Sequence, residues 1–236
     1  SIGTHLARST KYTITISGNV KDQYGVTLSQ DYSFSFETAP FNPSVSIVPS
    51  HTYFASFDAE IVPRIVAKVV NTNEVKYKLY KLKREDFLDL YKRRYNASNY
   101  QDSDWQNYDP SKLELVREWR ENFEADHNVP VHVITKVEKE GGEKISPGLY
   151  FLDVRIDSGS HDNLAMVVSR TSLTFKTAPN QALLFAVDHA TGGVVKDMEV
   201  ELVRLGGSVI KSGSTNQDGV YLTQVNLRSE RVRQTD

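Results

Sequence analysis

The sequence predicts an all-β chain of serial antiparallel β-sandwiches with one α-helical insert in its middle. Three observations carry this expectation. Short runs of alternating apolar and polar residues, rich in Val, Ile, Tyr, Phe and Thr, recur along the 236 residues, the pattern of half-buried strands. Asn, Asp, Gly and Pro turn signals punctuate these runs about every 8–12 residues, as in sandwiches. Helical periodicity is confined to one stretch, whereas a parallel α/β sheet would alternate helix with strand.

Residues 11–17 (KYTITIS) and 32–38 (YSFSFET) are clean alternators, the second placing Tyr32, Phe34 and Phe36 on one face. An Asp22 to Gly25 turn lies between them. Pro40 and Pro43 then act as a stiff boundary, so a partial unit is expected over residues 1–40. The second unit, 44–178, opens with strands at 44–48, 60–70 and 75–82. Ile61, Ile65, Val66, Val69 and Val70 make the middle one a strand buried on both faces, with Pro63 implying an edge or a bulge near its start. In the next, the alternation shifts face around Tyr80.

The period then changes. Residues 84–95 carry acids at the start, bases at the end and an apolar stripe of Phe87, Leu88, Leu90 and Tyr91, which predicts a helix. Asp109 and Pro110 fit the N-cap and first position of a second helix. Leu113, Val116, Trp119 and Phe123 continue it to about Glu124. The insert thus spans about 84–125, and the expectation is that it caps an open edge of the sandwich, since exposed edges invite aggregation. Strands resume at 131–138 and 148–156, joined by a charged hairpin loop at 140–147, and continue at 164–168 and 172–176. Ala178, Pro179 and Asn180 read as a second linker, before a third partial unit over 181–236 with strands at 182–187, 198–204, 209–212 and 220–226.

Composition removes several function classes. A formal net charge of −2 offers no basic footprint for nucleic acid or anionic lipid. No cysteine is present, which excludes disulfides, thiolate metal sites and a thiol nucleophile from this chain. No run reaches the ~18 apolar residues of a membrane span. Ser1 opens no clear element and the last residues trail off in charge, so the chain reads as an internal part of a longer one.

No recognisable catalytic or metal-binding pattern stands in the sequence. His5, His51, His127, His132, His161 and His189 are scattered, without the spacing of a helical zinc site. No nucleophile elbow supports a triad, and Glu85 and Asp86 serve as helix-start charges. The expectation is no catalytic residue, no metal and no cofactor. Asp22 to Gly25 and Asn216 to Gly219 offer oxygen ligands suited to calcium, but are better read as Asp/Gly β-turns. One candidate surface remains: Trp105, Trp119, Tyr95, Tyr100 and Tyr108 in the insert. These rings would serve either as a partner surface or as the insert's own packing.

Residues 6–38 look like the second half of a bacterial immunoglobulin-like repeat, on the strength of the two alternators and the VKDQYG turn at 20–25. From about Val45 the chain resembles the bacterial alpha-2-macroglobulin family. The matching segments are VKYKLY at 75–80, EDF at 85–87, SPGLY at 146–150 and VVS at 167–169. Stronger are FAVDHATGGVV at 185–195 with VEL at 200–202, and GSTNQDGVY at 213–221. Val194 stands where that family commonly has proline, and Asn216 where it often has aspartate.

This resemblance implies immunoglobulin-like and macroglobulin-like sandwiches in a large secreted or envelope-associated protein, hence an extracellular, envelope or periplasmic location. Members of that family trap proteases: a bait segment is cut, the chain collapses around the protease, and a Cys–Gln thioester links many of them to it. The thioester cannot lie in this cysteine-free chain. The implied role is scaffold, with proteases as partners of the full-length protein and neighbouring domains as partners within the chain. A second class, a structural or adhesive surface protein binding protein or glycan, shares every feature visible in the sequence, because fold does not fix function.

Overall fold

The computed structural model of the protein describes residues 6–49, 53–96, 108–204 and 207–226. The chain begins with an antiparallel ribbon of β1 (Lys11–Ile16) and β2 (Tyr32–Glu37). Its register puts Tyr12 opposite Phe36, Ile14 opposite Phe34 and Ile16 opposite Tyr32, so one face is wholly apolar. The other face carries a hydroxyl ladder, Thr13 to Ser35 at 2.8 Å and Thr15 to Ser33 at 2.7 Å. Asp22 Oδ1 accepts the Tyr24 and Val26 amides, both at 2.9 Å, which accounts for the acid in that turn.

A sandwich follows. Its three-stranded sheet has the order β3 (Ser44–Val48), β5 (Arg64–Val70), β8 (Val131–Lys136), all antiparallel. Its five-stranded sheet runs β4 (Phe54–Asp58), β10 (His161–Ser169), β9 (Gly148–Arg155), β6 (Glu74–Leu82), β7 (Glu114–Asn122). Only β4 departs from antiparallel pairing: it lies parallel to β10, with Ala165 opposite Phe54 and Ser169 opposite Asp58. The core between the sheets is built from alternate residues, including Val45, Ile47, Ile65, Ala67, Val69, Tyr77, Leu79, Leu152, Val154, Leu164 and Met166.

The face shift expected at Tyr80 is a bulge, where β6 slips register against β7 between Leu79 and Tyr80. Beyond it, Tyr80 and Leu82 join Phe151 and Ala165 on the outer face of the five-stranded sheet. The helix α1 (Arg84–Asn96) docks there, through fully buried Leu90 and through Phe87, whose ring meets Phe54 edge-on at 5.4 Å. The helix therefore covers a sheet face, not an open edge.

The second expected helix is overturned. Asp109 does cap a turn, its Oδ1 accepting the Ser111 amide at 2.9 Å, but that turn is a single 3-10 turn, Pro110–Lys112. The chain then enters β7. Arg117, Trp119 and Glu121 alternate inward there, and the two charged members disguised a period of two. Each has a reason to face in. The Arg117 guanidinium lies 4.8 Å over the Trp119 ring, and Glu121 accepts the Thr135 hydroxyl at 2.7 Å.

Other expectations shift too. The strand expected from residue 60 starts at Arg64, after Pro63, and buries one face only; Ile61 is exposed. Strand β4 had not been anticipated. The 140–147 loop crosses between the two sheets, because β8 and β9 belong to different ones. Finally, β11 (Thr171–Ala178) forms a hairpin with β12 (Gln181–Asp188), so Pro179 and Asn180 sit in a turn within one sheet. That sheet is completed by β15 (Val220–Gln224), and β13 (Glu199–Val203) pairs with β14 (Val209–Ser214) beside it.

Candidate functional site

The two segments that carry the strongest sequence signature, 185–195 and 213–221, interlock. The Ala186 amide donates to Gly219 O and the Val195 amide to Ala186 O, both at 2.9 Å. Gly219 has φ +71°, and a Cβ there would lie 2.8 Å from Ala186 O and 2.9 Å from Val194 Cβ. Glycine is required on both counts. Asn216 Oδ1 accepts the Asp218 and Val220 amides, closing the hairpin turn. Buried Thr215 donates to Val195 O at 2.7 Å and accepts the Met198 amide at 3.0 Å. Asp188 Oδ1 accepts the backbone and hydroxyl of Thr191 and the Ala190 amide. These bonds, led by the Thr191 amide, hold its carboxyl below the usual aspartate range. The side chains of Asp188, Thr191, Thr215 and Asn216 are thus used in building turns.

Two junctions tie this sandwich to its neighbours. At the first, Asn71 Nδ2 donates to Phe41 O at 2.7 Å and to Asn128 Oδ1 at 3.1 Å, while Asn71 Oδ1 accepts the Asn128 amide at 2.6 Å. Asn128 Oδ1 also accepts the Phe41 amide, and Asn128 Nδ2 donates to Ser9 Oγ. His127 Nε2 lies 3.3 Å from that hydroxyl, and the Arg8 guanidinium stacks 4.9 Å over the Phe41 ring. Ser9, Asn71 and Asn128 all have positive φ, at 49°, 52° and 62°. Three left-handed non-glycine residues meeting at one point mark stored backbone strain, tolerated because each side chain is held.

At the second junction, Arg84 of α1 donates to Glu201 of β13 at 2.5 Å. Glu60 binds both Lys144 at 3.2 Å and Arg170 at 2.7 Å, and these two cations hold its carboxyl below the usual range. The His189 amide donates to Arg170 O at 2.9 Å, carrying the contact into the β11–β12 sheet.

Of the predicted aromatic surface, Trp119 faces the sandwich core. It stacks on Tyr77 at 5.2 Å and donates from Nε1 to Thr135 Oγ1 at 2.8 Å. Tyr108 packs on Phe151 at 5.0 Å. Tyr100 and Trp105 lie outside the described residues, as does the side chain of Tyr95. Among the described residues, no three His, Asp or Glu side chains gather as a metal site, and no helix is long and apolar enough to cross a membrane. Two hollows stand out. A cleft of about 620 Å³ beside α1 carries both signs of charge, with Lys81, Lys83 and Lys112 against Asp86, Asp89 and Asp109. An apolar groove of about 610 Å³ is lined by Phe57, Ile61, Val62 and Pro63, together with Asp58, Arg64 and Lys136.

Comparison with known proteins bears on the whole arrangement. The family profile described as Bacterial Ig-like domain matches residues 1–38. Comparison with curated proteins returns no match. Among solved structures, native alpha-2-macroglobulin from Escherichia coli spanning domains MG0-NIE-MG1 is similar at TM-score 0.65 and 16% identity, over 93% of this chain and 69% of that one. A mutant of Salmonella alpha-2-macroglobulin is similar at TM-score 0.71 and 14% identity, over 94% of this chain and 13% of that one. Trypsin-activated alpha-2-macroglobulin from Escherichia coli is similar at TM-score 0.53 and 17% identity, over 78% of this chain and 12% of that one. At these identities the likeness establishes the fold: an Ig-like unit followed by macroglobulin-like sandwiches.

Proposed function

We propose that the chain is a non-catalytic scaffold of a large secreted or envelope-associated alpha-2-macroglobulin-like endopeptidase inhibitor, one that traps proteases by changing conformation. The observation that carries this reading is the likeness of nearly the whole chain to bacterial alpha-2-macroglobulins, in which the same succession of sandwiches recurs. One of those relatives is described as trypsin-activated, which fits a protease as the partner of the complete protein. The three units are a partial Ig-like ribbon, a macroglobulin-like sandwich carrying α1 on its back, and a third, partial sandwich that takes in β11. Function in such a scaffold resides in the junctions. The asparagine-locked contact at Asn71 and Asn128 and the ion-paired contact through Arg84, Glu201, Glu60 and Arg170 set how the units lie, and would pass a rearrangement from one to the next.

The test uses the full protein that contains this chain. It is mixed with trypsin, and cleavage of a large protein substrate is followed beside cleavage of a small peptide substrate. Trapping predicts loss of the first with the second retained. Unchanged cleavage of both would refute the inhibitor reading and favour a structural or adhesive role.

A further inference from the structure

The outer face of the β3-β5-β8 sheet has a charge pattern that the scaffold role leaves unused. Strand β5 presents Arg64, Val66, Lys68 and Val70 outward, and β8 presents His132, Ile134 and Lys136. Strand β3 adds Ser44, Ser46 and Val48. The face therefore bears three permanent cations and a histidine, and no acid, on a chain whose net charge is −2. Arg64 stands directly opposite Lys136, and Lys68 opposite His132. Arg64 and Lys136, like charges directly opposite one another in an antiparallel ladder, are a destabilising pair. Neither Arg64, Lys68 nor Lys136 forms an ion pair with a described residue. Between the two charged rungs lies an apolar one, Val66 opposite Ile134, and Ile134 is 63% exposed. A solvated strand face would place a polar residue there.

We propose that this face docks an extended acidic polypeptide segment with the pattern acid, any residue, apolar, any residue, acid. The occupant's charge follows from three cations that form no ion pair with a described residue, on strands whose outward positions hold no acid, its apolar centre from Ile134 and Val66. Its extended form follows from spacing. The charged rungs are four residues apart along β5, or about 13 Å at strand rise. An extended segment laid along the strands repeats that distance between residues four apart. Arg64 and Lys136 also line the groove formed with Ile61, Val62 and Pro63, which would receive the next apolar residue of the segment. The docking surface stands independently of the inhibitor reading, since it rests on this sheet alone.

The experiment measures fluorescence anisotropy of a labelled Glu-Thr-Leu-Thr-Glu peptide titrated with the intact chain. A Lys-Thr-Leu-Thr-Lys peptide serves as control, and vesicles of equal phosphatidylglycerol and phosphatidylcholine are pelleted in parallel. The proposal expects binding of the acidic peptide alone, weakened at least tenfold between about 0.05 M and about 0.5 M salt as screening tightens. Lys136→Glu should weaken binding about tenfold while raising the thermal midpoint, because it turns a repelling cross-strand pair into an attracting one. Ile134→Asn should weaken binding with the fold retained. Equal binding of both peptides, unchanged binding by Lys136→Glu, or capture by vesicles without peptide binding would each overturn the proposal.

Discussion

Replacing Asn71 with alanine should release the first unit from the sandwich. The side chain supplies three hydrogen bonds at the junction, two donated at 2.7 and 3.1 Å and one accepted at 2.6 Å. Each is worth about 1 kcal/mol net, less where water replaces it. Alanine also tolerates φ of 52° less well than asparagine, by about 1 kcal/mol. The sum is about 2–4 kcal/mol, which shifts the balance between docked and undocked arrangements by roughly 30-fold to 1000-fold. The absence of cysteine makes the assay simple, since Thr15→Cys in β1 and Arg120→Cys in β7 give two unique labelling sites. Spin-label distances between them should be narrow in the parent and broad in Asn71→Ala. Asn71→Gly should lie between, because it loses the bonds yet suits the backbone. Asn128→Ala should broaden the distances likewise, and the double variant should add little, as for partners in one network. An Asn71→Ala distribution as narrow as the parent's would refute the reasoning and place the hold elsewhere.

Leu90→Ala removes the fully buried anchor of α1 and should cost about 2–5 kcal/mol, read as a lower urea midpoint with early protease cutting in the helix. Trp119→Phe keeps the stack on Tyr77 but deletes the bond to Thr135, so a loss of about 1 kcal/mol is expected in the same titration. Glu60 is held below its ordinary value by Lys144 and Arg170. The contribution of this group is therefore complete above the unfolded value of ~4.3 and fades as pH falls through the lower folded value. Glu60→Gln should flatten acid unfolding in that window, followed by circular dichroism from neutral pH downward.

Much of the fold was legible because strands such as β1 and β2 declare themselves by a strict period of two. The failure in β7 has one cause, which is that polar side chains can face inward when a specific partner awaits them. In β7 the inward set is Arg117, Trp119 and Glu121; the Trp119 ring and Glu138 meet the arginine, and the Thr135 hydroxyl meets the glutamate. The eye then joins Leu113, Val116, Trp119 and Phe123 into a helix that does not exist. Proline misled in the other direction. Pro179 sits in the turn of a hairpin, where it resembles Pro40 and Pro43 in sequence alone. The Asn71 and Asn128 lock was not legible, because the residues are far apart in sequence and each looks like an ordinary turn asparagine. Their shared positive φ was the missing signal. The signature segments were legible; each turn closes through its own Asp188 or Asn216 bonds, and the two interlock through Ala186, Gly219 and Thr215.

The parallel pairing of β4 with β10 has a mechanical consequence. Strand β4 enters the five-stranded sheet early in the sandwich and β10 leaves it last, and the two run in the same direction over five rungs, from Phe54–Ala165 to Asp58–Ser169. Tension that draws β4 by its first residue and β10 by its last is directed along the strands. The rungs are then loaded together in shear, whereas an antiparallel pair drawn from one end opens one rung at a time. Tension that reaches this pair of strands is therefore resisted in shear, so a pull arriving at the five-stranded sheet would be relayed through it and not spent in opening it.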